Sequence, residues 1–304
     1  MIPLERVQAA AERAREFVEL TPLVQLGDAH LKLECLQPTG SFKVRGFFAA
    51  ALALPPDRLR RGLLTVSAGN AAQACAYVAN RLGVSCRVVM YDSAPPPKVE
   101  GVRRWGGAIL PLPRERLLKW MVEEGWANEP ETFIHPFADE EVMAGHGGVG
   151  LEVAEQLPDV ERILVPVGGG GLVVGVASAL KALRPGLEVI GVQSDGYPLW
   201  PKVFAAGGPV PVTPATIADG TTAPFDPRQF ERLKLAVNRW LLVPETRLRT
   251  AVVELAGAAK VVAEGAGALA YAALEQLPPG PPTVALVSGG NIDPTLLAEL
   301  LAGR

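Results

Sequence analysis

The sequence predicts an α/β fold of two lobes, each with a mainly parallel twisted sheet flanked by helices. Three observations lead there. Short apolar, β-branched runs alternate along the chain with longer segments of helical period, the pattern of parallel strands joined through helices. Glycine and proline together supply 60 of 304 residues, about a fifth against an average nearer one eighth, and they gather at the junctions between those runs. The length itself leaves room for two lobes, each burying its own core.

Taken in order, Leu4, Val7, Ala11, Ala14 and Val18 recur at helical spacing among charges, unlike the continuous apolar core of a signal peptide. Strands are expected at Leu63–Ser67, Cys86–Tyr91, Ala108–Leu112, Ile163–Val167, Glu188–Gln193 and Thr283–Ser288, each bounded by Gly, Pro or Ser. Helices are expected over Asn70–Leu82, Pro97–Trp105, Gly148–Leu157, Leu172–Leu183, Glu245–Ala263 and Ala266–Leu277. The stretch Trp200–Phe225, rich in Pro and Gly, reads as one long irregular loop, a length that usually serves function. The first three strands define a small domain over residues 60–134, and residues 1–59 with 135–304 form a discontinuous large domain.

Composition narrows the function. With 29 Lys and Arg against 32 Asp and Glu, the formal charge of −3 offers no basic excess for a nucleic acid. No run reaches the ~18 apolar residues of a membrane span. Cys35, Cys75 and Cys86 sit in apolar or small-residue contexts without CxxC spacing, which favours reduced thiols over disulfides or zinc. The chain therefore reads as soluble and cytoplasmic, with a small molecule as its partner.

Four motifs carry chemistry. Val165-Pro166-Val167 runs into Gly168-Gly169-Gly170-Gly171-Leu172 and then a helical segment. Without Cβ atoms, successive amides can turn inward together, and the helix adds its unpaired N–H groups and dipole, so a phosphate cradle is favoured over a flexible turn. A Walker loop loses its main support because no Gly-Lys pair occurs anywhere. Gly265-Ala266-Gly267 matches a relaxed dinucleotide pattern, but it follows helix, not strand, and is read as helix packing.

The second motif, Gln37 to Gly46, places Phe42-Lys43 at the start of an Ala-rich helix. The helix dipole and partial burial would both lower the Lys43 pKa, giving the neutral amine a Schiff-base lysine needs; a surface lysine at a helix start remains the alternative. The third, Ser67-Ala68-Gly69-Asn70-Ala71, follows a strand. Asn70 is read either as an ordinary helix cap or as an amide aimed at a ligand oxygen, with the preceding amides collecting a carboxylate. The fourth is Ser288-Gly289-Gly290-Asn291, which alone is only a turn.

In this order and with these separations, the four motifs resemble the pyridoxal-phosphate enzymes of fold type II, in the threonine (serine) dehydratase and serine racemase group. Thr21-Pro22-Leu23, Lys98 through Gly106-Gly107-Ala108, His135-Pro136-Phe137, Gly150-Leu151-Glu152, Thr216 to Gly220 and Glu264 to Ala268 extend the likeness over nearly the whole chain. The resemblance implies a fold type II architecture, usually a homodimer, with pyridoxal 5'-phosphate bound covalently to Lys43 beside Phe42. It further implies that Asn70 meets the cofactor's 3-oxygen, that Gly168 to Gly171 and Leu172 hold its phosphate, and that Ser288 meets its pyridine nitrogen. Ser67, Ala68, Gly69, Asn70 and Ala71 would receive the carboxylate of an amino-acid substrate. Lys43, once displaced, would be the general base of an α,β-elimination giving a 2-oxo acid and ammonia.

Departures from the family pattern sharpen this. Ala68 stands where racemases place a second serine as acid/base, so racemisation is expected to be poor. Gln193 replaces the glutamate of their divalent-metal site, so no metal is expected there. Ala71 replaces a common His, and His146 a common Gln, which leaves the preferred amino acid open; His146 is read as a compensating donor or as a solvated side chain. Glu264 and Asp219 are read either as cavity residues or as ordinary caps and ion-pair partners, and the Trp residues as packing. The implied function is a threonine/serine dehydratase, with β- or γ-replacement and a non-catalytic cofactor-binding protein as the alternatives.

Overall fold

The computed structural model describes residues 1–303. Its strands are β1 (Leu23–Leu26), β2 (Ala29–Leu33), β3 (Leu63–Val66), β4 (Cys86–Tyr91), β5 (Ala108–Leu112), β6 (Thr132–Phe133), β7 (Arg162–Pro166), β8 (Glu188–Ser194), β9 (Arg239–Val243) and β10 (Thr283–Val287). They form two sheets, one of six strands in the order β1-β2-β10-β7-β8-β9 and one of four in the order β5-β4-β3-β6. Every neighbouring pair is parallel except β1 with β2.

The six-stranded sheet is covered on both faces, and its strands show why. Ile163, Val165, Val284 and Leu286 enter one core, while the alternating Leu164, Ala285 and Val287 enter the opposite one, as a pleat of period two requires. Helix Gly171–Leu183 fills the first core, and helices Glu245–Glu254 and Gly265–Ala272 the second. The four-stranded sheet repeats the arrangement, with Leu63, Val88 and Met90 on one side and Leu64, Val66 and Val89 on the other. Helix Lys43–Leu52 lies between the two systems: Val44, Phe47 and Phe48 pack with the small sheet's core and Ala49 with the large one's.

Four strands escaped the sequence. β1 and β2 form a hairpin whose turn uses Gly27 at φ +60°, and β2 carries Lys32 in its interior, which reads as surface but is fully buried. β9 is an edge strand with Leu242 exposed, and β6 is two residues long. Among the helices, the expected Glu245–Ala263 stops at Glu254 and passes into a π turn over Leu255–Ala259, closed by Lys260 at φ +59°. The expected Ala266–Leu277 tightens into a 3-10 turn after Ala272.

Trp200–Phe225 is not one loop, since Leu199–Ala206 is helical and buries Trp200 completely. Helices Pro227–Ala236 and Pro294–Leu301 were also missed, although Asp226-Pro227 and Asp293-Pro294 announce them. In both, the Asp carboxylate accepts amides of the first turn and Pro occupies the first helical position. No helix among the described residues is long and apolar enough to cross a membrane.

Candidate active site

The C-terminal ends of β3, β7 and β10 and the N-termini of three helices open on one cavity of about 480 Å³, lined from both sheets. All four sequence motifs contribute to it. The second and fourth are knitted by backbone: Phe42 N–H donates to Ser288 O at 3.1 Å, Gly290 N–H to Gly40 O at 2.8 Å, and Ser41 bridges Gly289.

Lys43 begins helix Lys43–Leu52 and faces the cavity. Its Nζ donates to the Pro136 carbonyl at 2.6 Å and lies 5.1 Å from the centre of the Phe42 ring. It has no carboxylate partner among the described residues, and burial pulls its pKa down to about 8. Burial is the cause of that fall.

The glycine loop joins β7 to helix Gly171–Leu183, with Gly170 at φ +88°. Among the described residues, the amides of Gly168, Gly169 and Gly170 donate to no protein acceptor, and the first amides of the helix have no intrahelical one. The glycines answer a second demand. A Cβ at Gly168 would lie 3.0 Å from Gly220 O, and one at Gly171 2.6 Å from Phe137 O, so neighbouring segments also close onto the loop. Trp200 Nε1 donates to Gly168 O at 2.6 Å, so this Trp does more than pack.

Asn70 is the first residue of helix Asn70–Arg81 and does not cap it; Ser67 Oγ accepts the Gly69 amide at 3.0 Å. The Asn70 side chain faces inward, where Nδ2 donates to Glu264 Oε1 at 2.6 Å and Oδ1 accepts from Asn291 Nδ2 at 2.7 Å. Ser288 directly follows β10, buried, with its hydroxyl 3.5 Å from the Ala266 carbonyl. Ser67, Ala68, Gly69 and Ala71 share the cavity wall with Phe42 and Leu172.

One expectation changes. His146 is neither solvated nor a donor to the cavity. It is fully buried at the end of helix Glu140–His146, edge-on to Phe42 at 4.7 Å, with neither ring nitrogen bonded to any described residue. Gln193 is buried as well, donating to Val167 O and accepting from Trp200 N–H, both at 2.8 Å, and so ties β8 to helix Leu199–Ala206. Asp219 reaches across the cavity mouth to pair with Lys98. His135 precedes the cavity-lining Pro136 and Phe137; its Nδ1 accepts the Ala138 amide at 3.0 Å, and burial lowers its pKa to about 4. Asn291 stands at the end of the fourth motif, but no local pattern marks its partnership with Asn70.

The family model for pyridoxal-phosphate dependent enzymes matches residues 14–289. The chain belongs to this family. It is 38% identical to the L-threonine ammonia-lyase of Thermotoga maritima, over 99% of this chain and 78% of that protein. Among solved structures, a threonine deaminase from T.th. superposes with a TM-score of 0.85 at 37% identity, covering 96% of this chain and 99% of that one. Maize serine racemase reaches a TM-score of 0.91 at 28% identity, covering 99% and 97%. The two-sheet arrangement is thus the fold type II architecture of pyridoxal-phosphate enzymes. The residues present fit their cofactor, because an amine held partly neutral, a row of amides without protein acceptors and a weakly engaged hydroxyl suit an aldehyde, a phosphate and a ring nitrogen.

Proposed function

We propose that this pyridoxal-phosphate enzyme is an ammonia-lyase that eliminates water from L-threonine or L-serine, giving a 2-oxo acid and ammonia. The observation that carries the reading is Lys43, an amine without a counter-ion whose pKa is lowered to about 8, facing the same cavity as the glycine loop. In this reading Lys43 holds the cofactor covalently beside Phe42, Gly168 to Gly171 and Leu172 take its phosphate, Asn70 faces its 3-oxygen and Ser288 its ring nitrogen. When bound, the cofactor supplies an electron sink that acidifies the α-proton of an amino acid.

The chain's residues do the rest. The segment Ser67–Ala71 receives the substrate carboxylate at the start of a helix, where free amides and the dipole favour an anion. Lys43 Nζ would take the α-proton; a pKa near 8 keeps a useful neutral fraction at physiological pH. Ser288 offers a hydroxyl instead of a carboxylate, so the ring nitrogen need not stay protonated, which suits departure of a β-hydroxyl. Ala68 leaves no acid/base on the opposite substrate face, which disfavours racemisation despite the structural likeness to a serine racemase. A cytoplasmic location, consistent with three buried free thiols, and a homodimer carried over from the family complete the reading.

The test is a steady-state assay with L-threonine and no other co-substrate. Release of 2-oxobutyrate and ammonia, lost by about 10²–10⁴-fold or more in Lys43→Ala, is the expected result. Turnover only with an added nucleophile would replace the elimination with β- or γ-replacement.

A further inference from the structure

We propose that Asn291 and Glu264 are positioning residues for Asn70: together they fix the orientation of its amide, keep one Nδ2 hydrogen for the cofactor's 3-oxygen, and place the Glu264 carboxyl where its charge acts on that oxygen. The inference rests on reading the cavity as the pyridoxal-phosphate site.

An amide side chain has two ends of nearly equal shape, so its direction is set by its partners. Here the chain of partners starts from a group with no ambiguity. The Thr39 carbonyl can only accept, and the Asn291 nitrogen lies 2.8 Å from it, so that nitrogen is the donor end. The other Asn291 hydrogen then goes to Asn70 at 2.7 Å, which must present its oxygen. Asn70 is left presenting Nδ2, and one of its hydrogens goes to Glu264 Oε1 at 2.6 Å. The remaining hydrogen has no protein acceptor among the described residues and belongs to a side chain that lines the cavity.

Glu264 is not the ordinary helix cap its position suggests. It precedes helix Gly265–Ala272 but makes no capping bond, and its backbone N–H donates to Gly289 O at 3.1 Å while the carboxyl faces Asn70. A Cβ at Gly289 would strike that carboxyl, so this glycine makes room for it. No cation pairs with Glu264 directly. The groups around it are Asp219 from the mouth loop, Lys98 from helix Pro96–Arg103, the Asn291 backbone amide and the Cys35 thiol. Burial pushes the carboxyl up to about 7, Asp219 adds to the rise, and the Asn70 bond and Lys98 oppose it. The charge beside Asn70 therefore changes within the neutral range.

The test loads wild type, Glu264→Gln and Asn291→Ala with pyridoxal phosphate, without substrate. It records the absorbance of the bound cofactor against pH and measures its retention by equilibrium dialysis. The wild-type band should change as Glu264 ionises, above the ordinary carboxylate range, and Glu264→Gln, which keeps the shape and loses the ionisation, should abolish the change. Asn291→Ala should keep the transition and weaken retention about tenfold, the loss of one oriented hydrogen bond. If Glu264→Gln does not fold, Glu264→Asp takes its place and should retain a transition with a displaced midpoint. Superimposable pH series for wild type and the Glu264 variant overturn the positioning role alone. A wild type that takes up no cofactor overturns the site reading with it.

Discussion

Lys43 and Arg45 stand two residues apart in the first turn of one helix, and both are withdrawn from water, yet their surroundings are opposite. Arg45 turns away from the cavity and is enclosed by carboxylates. Its Nε and Nη2 reach Glu34 at 2.7 and 2.8 Å, and Nη1 and Nη2 reach Glu152 at 2.6 and 2.9 Å. Lys32, fully buried, shares Glu152 and donates to Thr21 O at 2.7 Å, and Thr21 Oγ1 closes the network on Glu34 at 2.6 Å. Burial alone would raise the Glu34 carboxyl, but the facing Arg45 guanidinium holds it below the usual carboxylate range. Lys43 has only a carbonyl, so burial acts on it unopposed. One cluster spends its charges on each other and fixes the helix; the other leaves an amine available for chemistry.

That contrast breaks most directly through stability. Arg45→Ala would strip the fully buried Glu34 of its guanidinium and leave Glu152 with Lys32 alone, and should cost about 3–5 kcal/mol in urea unfolding. Lys43→Met, which removes an ammonium without a counter-ion, should leave the cofactor-free protein at least as stable. Equal losses from the two would show that Lys43 is paired after all.

A titration sharpens the same difference. Because the native pKa of Lys43 lies below its ordinary value, the native state binds fewer protons than the unfolded chain between the two. Its neutral form therefore gains with rising pH from about 8. Reductive trapping of an aldehyde on Lys43 in cofactor-free protein, followed by peptide mapping, should reach half its maximum near pH 8, while labelling of exposed lysines continues to climb. A midpoint shared with the surface lysines would remove the distinction.

The smallest effect is expected where charges pair in water. Lys98 and Asp219 are 37% and 56% exposed, so Lys98→Ala should change unfolding stability by less than about 1 kcal/mol. A loss comparable to Arg45→Ala would mean that this pair behaves as a buried one.

The parts of the site legible in sequence are those that make a local demand on the backbone. The strand-to-glycine-to-helix run at Pro166–Leu172 shows itself because only glycine tolerates Gly170 at φ +88° and the closeness of Phe137 and Gly220. Lys43 is marked by its place between a turn and an Ala-rich helix. Strands β3, β4, β7, β8 and β10 could be read because buried parallel strands are largely apolar runs, and the edge strand β5 because it too is an apolar run. β2 could not, because Lys32 interrupts it and its counter-ion Glu152 lies 120 residues away. His146 was misjudged for a similar reason: a glycine-rich neighbourhood looks like a surface turn until the helix crossing at Gly46 closes over it.

By itself the sequence determined the alternation of strands and helices, the turns only glycine can make, and the ordered set of motifs, since each of these follows from residues adjacent along the chain. Only the tertiary structure decided which charges neutralise one another and which remain free. Lys43 and Pro136 are 93 positions apart, Asn70 and Glu264 194, and Asn70 and Asn291 221. Burial and pairing are properties of what the fold brings within a few ångströms, and no local pattern encodes them.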